Sequence, residues 1–95
     1  MTPDGTVFQL SKSMLQDLTR TDAVAVVTFG DYNMNCAKAA RECYMARTTI
    51  VYHLNKVYRI TRLDPFVFED LIKLYPVMKQ LRDQLNDEEE EVLPR

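Results

Sequence analysis

Residues 35–62 read NCAKAARECYMARTTIVYHLNKVYRITR, and the interpretation of this stretch decides the fold. Asn35 is a good helix cap, because its side-chain oxygen accepts from otherwise orphaned backbone N–H groups, and the alanines at 37, 39 and 40 have high helix propensity. A helix over 36–43 follows, with small side chains that let a crossing helix come close. Tyr44, Met45 and Ala46 form a turn. Over 47–59 the apolar residues Ile50, Leu54 and Val57 recur at i, i+4 and i+7, the stripe of a helix that buries one face. The other face presents Arg47, Thr48, Val51, Tyr52, Asn55, Lys56 and Arg59. Two helices joined by a tight turn, the second with basic and hydrogen-bonding side chains outward, have the layout of a DNA-reading element.

Working outward, Leu10, Met14, Leu15 and Leu18 keep helical spacing, and Ser11 is placed to cap a helix that ends near Arg20. Residues 23–29, AVAVVTF, are ambiguous, since β-branched residues favour a strand and the length suits either element. A lone strand would leave its backbone groups without partners, and no second strand is visible, so a helix is expected. Thr21 or Asp22 would cap it, and Gly30 would close it in the left-handed conformation. On the far side, Asp64 and Pro65 form a start signal, with aspartate as cap and proline at the first helical position. Phe66, Phe68, Leu71, Ile72, Leu74 and Tyr75 then make a broad apolar surface, and the phenylalanines and Tyr75 are assigned to the core. Pro76 should end or kink this helix near Leu74. A last segment carries Val77, Met78, Leu81 and Leu85. The expectation is an all-α, helix-turn-helix bundle of about five helices. Residues 1–9 form a loose leader, 10–86 a single helical domain with the helix-turn-helix at 35–60, and 87–95 an acidic tail that should fray.

The 95 residues suffice for one domain, and 46% apolar residues for a modest core. A net charge of −2 looks unsuited to a nucleic-acid partner, yet the average hides an asymmetry. Residues 36–63 hold six basic side chains against one acid, Glu42, a surplus of +5, whereas residues 64–95 hold four against nine. Basic charge is therefore concentrated on the two central helices. Cys36 and Cys43 lie seven apart, about 10 Å along a helix axis, too far for a disulfide that needs Cα atoms within about 7 Å. Two cysteines and one histidine fit no zinc spacing, so free thiols and no metal are expected. Neither a signal peptide nor a membrane-spanning run is expected. Paired carboxylates, an activated nucleophile and a glycine-rich phosphate loop are likewise missing, so no catalytic residue, cofactor or small-molecule substrate is expected.

The segment AAREC-YMARTTIVYHLNKV at 39–57 resembles the C-terminal helix-turn-helix of the purine catabolism regulator (PucR) and sugar diacid regulator families, itself related to the Fis type. Their pattern runs approximately Ala, two variable residues, Leu, one variable, Val, His, Arg, Asn, Thr, Leu, one variable, Tyr, Arg, Leu, two variable, Ile. Ala40 takes the small place, Cys43 the Leu place and Met45 the Val place. Arg47, Thr49, Tyr52 and Leu54 match outright, and Ile50 and Val57 match in kind. ITRLDP is similar to the segment that follows in the family, and FEDLIKLYPVM to its last helix, so the resemblance spans about residues 20–78. Ala46, Thr48, His53 and Arg62 stand where the family has His, Asn, Arg and Gly. The sensor domains that normally precede the module are not expected here.

The combined expectation is a cytoplasmic, nucleoid-associated bacterial regulator of transcription that binds double-stranded DNA as a homodimer. Arg47, Thr48, Val51, Tyr52 and Asn55 are the candidate base contacts, and Lys38, Thr49, His53, Lys56, Arg59 and Arg62 the candidate phosphate contacts. Tyr52 has two roles open to it, a phosphate bond or packing against the first helix, and His53 is either structural or a phosphate contact. Two surfaces compete for the dimer interface: the first helix with Leu10, Met14 and Leu18, and the last with Val77, Leu81 and Leu85. The acidic tail is either a solubilising extension or a mobile competitor for the basic face. The alternative reading is a helical protein–protein interaction module with an incidental basic face.

Overall fold

Residues 23–29 are helical and form the centre of the molecule. The computed structural model describes residues 10–92, with side chains through Leu85. Among the described residues there are five helices and no strand: α1 (Lys12–Asp17), α2 (Arg20–Asp31), α3 (Cys36–Glu42), α4 (Arg47–Thr61) and α5 (Phe68–Val92). In α2, Ala23, Ala25, Val26, Val27 and Phe29 are all buried. A helix apolar around so much of its circumference needs neighbours on several sides, and α2 has them in α5, α4 and α3. Helix α5 packs on α2 alone, α3 packs on α4, and short α1 also rests on α4. Layering therefore runs from α5 through α2 to the α3–α4 pair. Ile50, Leu54 and Val57 of α4 and Leu74 and Met78 of α5 are fully buried around that centre.

Several boundaries differ from those expected, each for a local reason. Ser11 does cap α1, accepting from the Met14 N–H, but the helix stops at Asp17 instead of Arg20. Thr19, not Thr21 or Asp22, caps α2: its hydroxyl accepts from the Asp22 N–H, and the Asp22 carboxylate accepts from the Thr19 N–H at 2.9 Å. This reciprocal pair satisfies two orphan donors at once, so Asp22 belongs to the first turn. Gly30 lies inside α2, and no described glycine has positive φ. A Cβ there would stand 2.9 Å from Tyr75 Cδ1, so its value is the close approach of α5. The left-handed turn after α2 falls to Asn33 and Met34, at φ 58° and 63°.

The entry to α5 is also shifted. Asp64 accepts from the Phe66 N–H at 2.9 Å and its carbonyl accepts from the Val67 N–H, an aspartate-led turn that delays the helix to Phe68. Within α5, Asp70 reaches back to accept from the Asp64 N–H at 3.0 Å. This turn rotates the register, so Phe66 and Phe68 are 40% and 64% exposed and lie outside the core; among the described phenylalanines Phe29 alone is buried, edge-on to Phe66 at 5.3 Å between centroids. Pro76 neither ends the helix nor divides it: α5 is continuous from Phe68. The carbonyl that proline leaves unpaired belongs to Ile72, and both residues lie on the exposed side, where solvent can take that carbonyl. The backbone remains helical through 87–92, where the run of like charges predicted fraying. The leader at 1–9 and residues 93–95 of the tail lie outside the described residues.

Candidate nucleic-acid interface

The site is built by α3, a four-residue turn and α4. Asn35 caps α3 by accepting from the Lys38 N–H at 3.0 Å. Ala39 and Ala40 are buried, and these small side chains bring α3 against α4. Helix α3 ends with Met45 N–H donating to the Ala40 carbonyl and Tyr44 N–H to that of Arg41, the paired bonds of a Schellman turn. That turn needs a left-handed residue, and Tyr44 supplies it at φ 58°. Helix α4 then starts at Arg47 behind Ala46, which offers no side-chain cap. It ends where Thr61 folds back, its hydroxyl donating to the Val57 carbonyl and accepting from the Leu63 N–H. Arg62 follows in the left-handed region at φ 66°.

The buried stripe of α4 is the expected one, extended by Thr61. Opposite it, Thr48, Tyr52, Asn55 and Arg59 follow one another at i, i+4, i+7 and i+11, all exposed. Arg47 and Thr49 are exposed beside them, Tyr52 is not packed away, and Val51 is half-buried at the edge. Lys38 and Arg41 on α3 and Arg62 at the end of α4 are also exposed. The structure thus aligns Thr48, Tyr52, Asn55 and Arg59 along one exposed face of α4.

His53 and Lys56 face elsewhere. Both lie on the α4 flank that meets α2, where His53 Nδ1 is 2.6 Å from Asp22 Oδ1 and Lys56 Nζ is 2.8 Å from Asp22 Oδ2. Asp22 is fully buried, and these two side chains with the Thr19 N–H occupy its oxygens. Burial pushes the Asp22 carboxyl up, but Lys56, the Thr19 N–H and His53 together hold it below the usual carboxylate range. The α2–α4 contact is therefore a charged brace, and its acidic member is a residue that sequence reasoning used only as a cap. The available signal was the Thr19–Asp22 spacing of a capping box, and His53 and Lys56 three apart on one side of a helix.

Cys36 and Cys43 are free thiols, each half-buried. Among the described residues no group of His, Cys, Asp or Glu is arranged to hold a metal ion. No described helix is long and apolar enough to cross a membrane.

A short capped helix, a tight left-handed turn and a longer helix with one buried and one polar face define a helix-turn-helix domain. Residues 24–79 match the model of the PucR C-terminal helix-turn-helix domain, and the chain belongs to that family, a DNA-binding class concerned with transcription regulation. The matched span opens in α2 and closes in the middle of α5, so it takes in most of the central helix and the whole helix-turn-helix. No curated protein and no solved structure matched the chain.

Proposed function

We propose that this chain is a bacterial transcriptional regulator that reads duplex DNA by laying α4 in the major groove. The observation that carries this is the exposed row Thr48, Tyr52, Asn55 and Arg59 on a helix whose other face is locked into the core. A reading helix must offer donors and acceptors to base edges while staying rigid, and this one has both properties. Arg47 stands at the leading end, suited to a guanine, with Thr48, Val51, Tyr52 and Asn55 behind it. Lys38, Thr49, Arg59 and Arg62 approach phosphates. His53 and Lys56 serve instead to brace α4 against Asp22.

The regulator acts as a homodimer, since a single helix-turn-helix makes few contacts and two-fold half-sites double them. The interface surfaces suggested by sequence are largely used up: Leu10, Leu18 and Leu81 are buried in the chain's own core, and Met14, Val77 and Leu85 pack against it. Free apolar area lies instead at the start of α5, where Phe66, Val67, Phe68 and Ile72 are 40–64% exposed. Phe68 and Ile72 edge a groove of about 430 Å³. Glu69 and Lys73 flank this strip four residues apart, both exposed, so two antiparallel copies would set opposite charges together. The same strip is what favours the rival reading, in which a different protein covers it and DNA is not the partner.

Selection from random duplex DNA tests the proposal. Enrichment of a two-fold motif is expected, with affinity that falls steeply as salt rises. Arg47→Ala should cost about 1–3 kcal/mol at the selected site and relax specificity at one base position. Absence of any salt-dependent binding to duplex DNA would favour the rival.

A further inference from the structure

Tyr44 is the most exposed large apolar side chain among the described residues, at 96%, and its backbone sits at φ 58°. The left-handed region is disfavoured for every L residue and easy for glycine, so glycine would serve the α3–α4 turn better. Packing does not repay that strain, because a side chain so exposed touches almost nothing. The residues on either side behave differently: Cys43 and Met45 are half-buried against the core. Tyr44 is thus a poor residue for the fold, held outward at the apex of the turn.

That apex leads directly into the reading helix, three residues before Arg47. When the N-terminal end of such a helix meets base edges, the chain entering it passes over the rim of the groove, which is sugar and phosphate. Exposed cations flank it in sequence, Lys38 and Arg41 on α3 and Arg47 opening α4, with Glu42 the one acid between positions 38 and 47. A phenolic hydroxyl is a neutral donor suited to a phosphate oxygen. Resting on the proposed DNA-reading role of α4, we infer that Tyr44 is a DNA-contacting residue whose hydroxyl donates to a backbone phosphate at the groove edge.

Binding and stability measured together test this on the full chain. Tyr44→Phe removes only the hydroxyl and should weaken binding to the selected duplex by roughly three- to tenfold, the range of one neutral hydrogen bond, with no change in Tm. Tyr44→Gly should bind as weakly while raising Tm, since it relieves the left-handed strain. In both variants the salt dependence should keep the wild-type slope, because no cation has been lost. Tyr44→Phe binding as tightly as wild type overturns the contact, as does a fall in Tm that accompanies its weaker binding. Failure of the underlying reading looks different: wild-type protein would then show no salt-dependent binding at all, whereas failure of the Tyr44 contact alone leaves wild-type binding and the Arg47→Ala defect intact.

Discussion

Arg62 ends α4 at φ 66° and ψ 11°, a conformation in which its Cβ crowds the following carbonyl. The αL penalty is about 1–2 kcal/mol for an L residue, part of which glycine returns through its freer unfolded chain, leaving roughly 0.5–1 kcal/mol. Arg62→Gly should therefore stabilise the domain by that amount and raise Tm by about 2–8 °C. If Arg62 meets a phosphate, the same change should reduce the slope of log affinity against log salt by about 1. Calorimetry and a salt titration check the two halves separately, and an unchanged Tm would show that the strain is relieved elsewhere. This residue was legible as a departure from the resembled pattern, which has glycine here, but its conformation was not. Caps such as Ser11 and Asn35 are local chemistry and could be read from the chain. Which residue takes the left-handed position depends on what packs nearby: Gly30 is used for the approach of Tyr75, so Asn33 and Met34 make the turn after α2.

Between helices, the joint that governs the reading surface is the Asp22 brace from α2 to α4. Breaking a buried charged pair from one side costs about 3–5 kcal/mol, and the partial exposure of His53 and Lys56 puts this case at the low end. Asp22→Asn should accordingly destabilise the fold at neutral pH by about 3 kcal/mol. The pH dependence has a definite sign. Because the folded carboxyl is held below its ordinary value of 3.8, its contribution is complete above that pH and is lost as pH falls through the folded value. The stability gap between wild type and Asp22→Asn should thus be open at about pH 5 and close as pH falls below about 4, read by denaturant titration at each pH. A gap that stays constant to pH 2 would mean the carboxylate charge is not what holds the helices. At this scale the sequence displayed α3, the turn and α4 almost to the residue, because periodicity and capping agree there. It did not display the brace, since a capping aspartate and a bonding partner 31 positions away look alike in one dimension. The division at Pro76 failed for a related reason: proline's effect depends on which side of the helix faces solvent.

Across the whole molecule, α2 separates two surfaces with different chemistry. The polar row of α4 lies in the α3–α4 layer, and the apolar strip of Phe66, Val67, Phe68 and Ile72 opens α5, which packs on α2 alone. A second copy bound at the strip would leave both reading helices free, as a two-fold operator requires. The charge asymmetry that marked 36–63 as basic was legible from composition. This strip was not, because the same phenylalanines read as core until the turn at Asp64 set their register. Sedimentation at micromolar concentration should show a species of twice 11.1 kDa. Replacing Phe68 and Ile72 together by Glu should return it to the single-chain mass without unfolding it, since both side chains are already more than half exposed. Affinity for a two-fold site should then drop, while affinity for an isolated half-site stays as it was, because α4 is untouched. A wild-type chain that sediments only at 11.1 kDa defeats the dimer, and a double variant that remains dimeric moves the interface away from α5.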